Sequence, residues 1–251
     1  MFLRNRFIVL LLSTVFAIAA SPAESEQTLA RAVNATAPGV FAEQAARLDA
    51  LLVHYSTDYV IYGDVITPWG EDDACDPLNV YGETKLEGER AIQASGCRHL
   101  IFRTSWVYGA RGRNFLLSMR RLMRERSELK IVADQHGAPT WCRDLAEATA
   151  QVLSQVNSQK TKSADTQPWG IYHMSNAGET SWHGFAQAIK AMDRLDESGT
   201  TARLLAIPGT EYPTPARRPL NSRLDNGKLA RIFGLRLQDW EAALALCMNE
   251  K

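Results

Sequence analysis

The chain has 251 residues, 45% of them apolar, with 28 basic and 28 acidic side chains and no formal net charge. That length can bury one sizeable core, or a core with a small lobe, and the charge balance argues against a protein organised around a nucleic-acid backbone or an anionic membrane surface. Cys75, Cys97, Cys142 and Cys247 form no CxxC pair, and His54, His99, His136, His173 and His183 lack metal-ligand spacing, so zinc and dithiol chemistry have no signature here.

Residues 1–23 open with Arg4 and Arg6, run uncharged and mostly apolar from Phe7 to Ala20, and leave through small residues. This is the pattern of a secretory leader, and membrane association is expected only through it. The same "FIVLLL" and "TVFAIAA" also suit a buried parallel strand, so a replacement strand is the second reading. Beyond Glu24 an alanine-rich segment, interrupted at Pro38 and Gly39, predicts one helix ending near Asn34 and another from about Pro38. "ALLVHYSTDYV" predicts a buried strand, "IYGDVITPWGEDDACDPLN" a long loop, and the stretch from "VYGETK" to about Ala94 a helix. "HLIFRTSWVYG" reads as a second strand.

Strands alternating with helices or loops predict an α/β layer with a mostly parallel sheet. Ligands would then collect beyond the carboxyl ends of the strands, near Ser56, Thr57, Ser105 and Trp106. Further on, "NFLLSMRRLMRERSEL", "DLAEATAQVLSQV", "SWHGFAQAIKAM" and "QDWEAALALCM" have helical periodicity, while "LKIVADQHGAPT" and "WGIYHMS" read as strands. "NSQKTKSADTQP" is expected as an exposed loop, and the prolines of "IPGTEYPTPARRPLNS" stiffen an irregular segment. The expected organisation is a core over 24–155 and a smaller, irregular lobe over 156–251, with interleaved contributions.

"NVYGETK" sets Tyr81 four residues before Lys85, on one helical face. A phenol with a pKa near 10 is seldom ionised at neutral pH, and a lysine one turn away favours the phenolate. Thr57, at the end of the preceding strand, adds a hydroxyl that can hold a developing oxyanion from a second side. An exposed tyrosine beside a solvated lysine gives the same spacing, so the pair alone is weak. Arg120, Arg121, Arg124 and Arg126 read as a solvated helix face, and Glu71, Asp72 and Asp73 as loop carboxylates.

The order "VHYSTDYV", "NVYGETKLEGE", "FRTSWVYG", "NFLLSM", "DQHGAPT", "SWHGFA", "PTPARRPLNSRLD" and "FGLRLQDW" resembles the dTDP-4-dehydrorhamnose reductases, a branch of the extended short-chain dehydrogenase/reductase family. The resemblance runs from Glu24 to the C-terminus. It implies a Rossmann-like fold and reduction of the C4 ketone of dTDP-4-dehydro-L-rhamnose by NADPH, or by NADH in some members. Tyr81 would be the proton donor, Lys85 its partner and holder of the nicotinamide ribose, and Thr57 the hydroxyl member. Tyr59 and Trp106 would line the sugar pocket. Asn114, Arg217, Arg218 and Asn221 would receive the nucleotide diphosphate, where a guanidinium fork matches phosphate oxygens. The family also implies a homodimer and, in some members, magnesium at a subunit contact, for which no residues are identified here.

Family members open with a strand, a GxxGxxG turn and a helix that cradle the cofactor pyrophosphate. This sequence contains no such motif, and its first glycine is Gly39. An incomplete Rossmann-like core is therefore expected, with the opening segment absent or replaced by residues 1–23. A cytoplasmic reductase is the reading that follows from the resemblance. Its alternatives are a shortened, inactive nucleotide-sugar or partner-binding homologue and, if residues 1–23 are a leader, an exported binding protein.

Overall fold

A computed structural model describes residues 7–9, 21–62, 65–158, 167–193 and 202–250. Its central sheet is four-stranded and parallel, in the order β1 (Phe7–Val9), β2 (Leu51–Thr57), β3 (Arg98–Thr104) and β8 (Gly170–His173). Every residue of β2 is buried, which explains its continuous apolar run where a half-solvated strand would alternate. The leader expected over 1–23 lies largely outside the described residues. Within that span, Phe7–Val9 pair with Leu51–Val53 as a strand of the sheet.

Helices α1 (Ser21–Ser25), α2 (Gln27–Arg31) and α3 (Ala37–Arg47) precede β2. The break expected between Asn34 and Pro38 does not occur, because a π-helical turn over Ala32–Thr36 carries α2 straight into α3. Pro38 falls in the first turn of α3, directly after the wider π-turn in which the Ala37 amide bonds the Ala32 carbonyl, so the residue that lacks an N–H sits where the α-helical ladder is already interrupted. Helix α4 (Val80–Ala94) begins at Asn79, whose side chain accepts from the Gly82 amide at 2.9 Å. Gly82 is required by proximity: a Cβ there would sit 2.2 Å from the Tyr59 carbonyl oxygen.

β3 stops at Thr104, short of the strand read through "SWVYG". Trp106 has φ of 49°, a left-handed conformation that turns the chain out of the sheet. The next residues form β4 (Val107–Tyr108), which pairs with β7 (Thr140–Trp141). Between them lie α5 (Phe115–Glu125), β5 (Glu128–Val132) and β6 (His136–Gly137). Helix α6 (Cys142–Asn157) packs Leu145, Ala148 and Val152 against Tyr55, Phe102 and Tyr172 of the sheet.

The remaining elements are β9 (Thr180–Ser181), α7 (Trp182–Met192), β10 (Arg203–Ile207), β11 (Asn221–Ser222), α8 (Gly227–Phe233) and α9 (Trp240–Met248). β10 pairs with β5, and β11 with β6, so the last third of the chain returns onto the middle third. A second core joins Tyr108, Leu116 and Trp141 to Phe185, Ile189, Trp240 and Leu244. The arginine face of α5 is paired: Arg120 and Arg124 hold Asp193 at 2.7 and 3.0 Å, and Arg121 meets Glu125. Among the described residues, no helix is long and apolar enough to cross a membrane.

Candidate active site

The carboxyl end of β2 delivers Thr57, and the 3₁₀ turn that follows delivers Asp58 and Tyr59. Opposite them, the first turns of α4 present Tyr81 and Lys85, so a seven-residue stretch of sequence meets the strand it was expected to meet. Thr57, Asp58, Tyr81 and Lys85 are each at most 6% exposed. That burial decides the electrostatics.

Thr57 is a junction. Its hydroxyl donates to Asp58 Oδ1 at 3.0 Å and its oxygen accepts from the Tyr59 amide at 3.2 Å, and it lies close enough to the Tyr81 hydroxyl to act on its pKa. The Tyr81 pKa is raised, first by burial and then by the Asp58 charge, with Thr57 opposing. Lys85 was expected to pull it down, yet the ammonium is directed elsewhere, donating to the Tyr55 carbonyl at 2.6 Å and contacting His54 Nε2 at 3.1 Å. Burial lowers the Lys85 pKa to about 8. Tyr81 is thus a protonated phenol at neutral pH, an acid in waiting and not a phenolate. Tyr59 packs edge-on against its ring at 5.6 Å and is itself raised to about 12, by burial and then Asp58.

Asp58 was not singled out in the sequence. Burial lifts its carboxyl to about 6, outweighing the hydroxyls of Ser222 and Thr57. Because the folded pKa exceeds the ordinary 3.8, its contribution to stability is full below pH 3.8 and is lost as pH rises through 6. Asp58→Asn should therefore stabilise the fold by up to about 3 kcal/mol at pH 8, a shift of roughly two units at 1.36 kcal/mol each, and by little at pH 3.5. Urea unfolding at both pH values checks this. Equal effects at the two would contradict a buried, destabilised carboxylate.

Beside this cluster lies a cleft of about 880 Å³. Phe115, Met119 and Trp182 supply apolar wall, Lys130, Asp134 and Gln135 polar wall, and Arg217, Arg218 and Tyr62 charge and aromatic surface. Arg217 reaches the Tyr62 hydroxyl at 3.2 Å and lies over its ring at 5.5 Å. Arg218 faces Tyr59 closely enough to oppose the rise in its pKa, so the cleft and the buried cluster are electrostatic neighbours. Asn79 couples them mechanically. Its carbonyl oxygen caps α4, its amide donates to the Arg217 carbonyl at 2.8 Å, and Ala216 packs in one apolar cluster with Val80 and Tyr81.

The other sequence-selected residues occupy different positions. Trp106 stacks on Trp182 at 3.7 Å and 12°, behind the cleft wall, and Gly137 leaves room for it, since a Cβ there would lie 2.8 Å from the Trp106 ring. Asn114 caps α5 and donates to the Gly109 and Arg111 carbonyls. Asn221 braces the neighbouring loop through the Val65 and Thr67 carbonyls at 3.0 and 2.9 Å. Sequence reading missed Asp58, Asn79 and Trp182 as site-forming groups, though each stands inside or beside a motif it had singled out.

Glu71 accepts from the His173 amide and Asp73 from the Gly70 amide, as loop-fixing carboxylates do. Among the described residues, no group of three or more His, Cys, Asp or Glu is arranged to hold a metal ion. All four cysteines are free.

Residues 10–251 match the family model described as the RmlD substrate binding domain. A protein from Burkholderia thailandensis named dTDP-4-dehydrorhamnose reductase is 47% identical over 235 residues, covering 92% of this chain and 78% of that protein. Its namesake in Escherichia coli K12 is 44% identical, over 92% of this chain and 76% of its own. Among solved structures, a dTDP-4-dehydrorhamnose reductase from Clostridium acetobutylicum has a TM-score of 0.82 and 33% identity, covering 92% of this chain and 76% of its own. The Bacillus anthracis dTDP-4-dehydrorhamnose reductase in complex with NADP has a TM-score of 0.81 and 32% identity, covering 93% and 77%.

Proposed function

The chain belongs to the family of dTDP-4-dehydrorhamnose reductases, and on that premise we propose that it reduces the C4 ketone of dTDP-4-dehydro-L-rhamnose to dTDP-L-rhamnose with NADPH. One observation carries the reading: a buried threonine and tyrosine meet at the carboxyl end of β2, with a buried lysine one turn further along α4, beside a cleft that contains Arg217 and Arg218. Reduction of a ketone needs a hydride, a proton and a grip on the rest of the substrate. The NADP-bound relative supports the choice of cofactor.

The described residues fit the reactive end of such a cofactor. Lys85 has three N–H donors and two protein acceptors, which leaves one for a ribose hydroxyl. Thr104, in register with Thr57, carries a buried hydroxyl with no protein partner and offers a further polar contact. No residue is assigned to the pyrophosphate. Bound at this end, NADPH supplies the hydride that adds to the ketone carbon.

The proton comes from Tyr81. An alkoxide is a stronger base than a phenolate, so transfer from the Tyr81 hydroxyl runs downhill even with its raised pKa. The Thr57 hydroxyl, held by its hydrogen bond to Asp58, stands beside the Tyr81 hydroxyl and partly offsets the rise that burial gives its pKa. Burial of the whole set excludes water and strengthens each of these interactions.

Arg217 and Arg218 receive the diphosphate, Tyr59 lies toward the sugar, and Trp182, backed by the stacked Trp106, gives that end of the cleft a flat apolar wall. Asn114 and Asn221 act indirectly, by fixing the backbone that frames it. A reductase drawing on nicotinamide and nucleotide-sugar pools works in the cytoplasm.

Arg218→Met is expected to raise KM for the nucleotide sugar about 10- to 100-fold, the value of a charge-assisted contact to phosphate, with kcat changed little. Steady-state kinetics at fixed ionic strength measure it. An unchanged KM in Arg217→Met and Arg218→Met alike would show that the diphosphate binds elsewhere.

A further inference from the structure

Lys85 needs explaining, because a buried ammonium is held in place only by the acceptors around it. Its nearest carboxylate on α4 is not available: both oxygens of Glu89 are engaged by Arg103 at 2.6 to 3.2 Å. The acceptors Lys85 does find are on β2, the Tyr55 carbonyl at 2.6 Å and His54 Nε2 at 3.1 Å. The carbonyl is fixed by the strand. Among the described residues, the imidazole is the side chain within hydrogen-bond distance of the ammonium.

Resting on the reductase reading above, we propose that His54 is the positioning residue for Lys85: its unprotonated Nε2 takes one ammonium N–H, Tyr55 O takes the second, and the third is left for a ligand hydroxyl.

His54 is 2% exposed, and its side chain, two residues before Ser56 on the face of β2 that meets α4, cannot turn to solvent without opening the sheet. Burial, then the charge of Lys85, keeps its pKa well below the usual value, so Nε2 stays an acceptor at neutral pH. The charged groups bearing on the pair are Lys85 itself, Glu89 one turn further along α4, and Arg103 of β3, which is committed to Glu89. Burial lowers the Lys85 pKa and the Glu89 charge opposes it; the proposed role adds the imidazole to that opposition, since a hydrogen bond to the charged form favours it. Two fixed acceptors reduce the ammonium's freedom to one remaining direction. A lysine anchored by the carbonyl alone would keep its charge less readily and its direction less well.

The test reads Lys85 itself, in protein without cofactor or substrate. Carbon-13 labelling of lysine side chains and NMR titration give its midpoint in the wild type, His54→Leu and His54→Gln. The expected result is a midpoint lower by about one unit in His54→Leu, because burial then acts with less opposition, and a midpoint close to wild type in His54→Gln, whose amide oxygen can accept. Nicotinamide-cofactor affinity should follow the same order. If His54→Leu does not fold, His54→Met replaces it, with the same expectation. An unmoved Lys85 midpoint in a folded apolar variant would overturn the proposal and reduce His54 to packing. A shifted midpoint restored in His54→Gln, in a protein that reduces nothing, would uphold it and count against the reductase reading instead.

Discussion

Tyr81→Phe is expected to lower kcat by about 10²- to 10⁴-fold, the usual contribution of a positioned general acid. The substitution removes only an oxygen that neighbours the Thr57 hydroxyl, and the ring keeps its place among Ala23, Val80, Ala216 and Tyr59. Stability should therefore change by no more than about 1 kcal/mol, the net worth of one hydrogen bond. KM for the nucleotide sugar should also hold, because the cleft that contains Arg217 and Arg218 is untouched. Steady-state kinetics with urea unfolding separate these effects. Near-normal kcat would mean that the alkoxide takes its proton from another group.

The largest expected loss of stability comes from α4's attachment to the sheet. Arg103 and Glu89 have side chains only 2% and 1% exposed, joined at 2.6 Å with a second bond from Arg103 Nε. Removing one partner leaves the other charge buried and unpaired, which costs about 3–5 kcal/mol, whereas replacing both with apolar residues is often neutral. Glu89→Leu should fall in that range at pH 7, and the double substitution Arg103→Met with Glu89→Leu should recover most of it. A double-mutant cycle in urea measures the coupling. The functional consequence is that α4, which carries Tyr81 and Lys85, is pinned to β3 by a contact with no part in the chemistry. A cost below about 1 kcal/mol for Glu89→Leu would show that water reaches Arg103 when its partner goes.

Much of this arrangement was legible in the chain itself. Tyr81 and Lys85 at helical spacing, with Thr57 at the end of an apolar run, specified which strand and which helix would meet, because a parallel sheet leaves its polar ends on one side. The adjacent Arg217 and Arg218 stood out in a proline-stiffened segment, and both line the cleft. What the sequence could not supply was burial. The tyrosine was expected to be tuned downward by its lysine, but desolvation outweighs a charge whose N–H groups point at β2. Nothing in the local sequence distinguished Asp58 or His54 from their neighbours until the fold enclosed them.

Backbone detail was the other gap. Pro38 signals a break and instead sits in continuous helix, right after a π-turn that shifts the hydrogen-bond ladder by one residue. Trp106 carries no local signal for a left-handed φ. Its ring stacking on Trp182, contributed from 76 residues further along the chain (182 less 106), accompanies that conformation, and such a contact is invisible to any local pattern. Asn114 and Asn221 were chosen for a ligand, and the fold shows their amides donating to backbone carbonyls, a detail that depends on side-chain direction.

The most direct test of the account is conversion of the sugar by the purified chain. dTDP-4-dehydro-L-rhamnose and NADPH are incubated with wild type and with Tyr81→Phe, following nicotinamide absorbance and separating the nucleotide sugars by chromatography. The account predicts one NADPH oxidised for each dTDP-L-rhamnose formed by the wild type, with the rate in Tyr81→Phe lower by about 10²-fold or more. A wild-type chain that binds the nucleotide sugar but leaves both it and NADPH unchanged would contradict it.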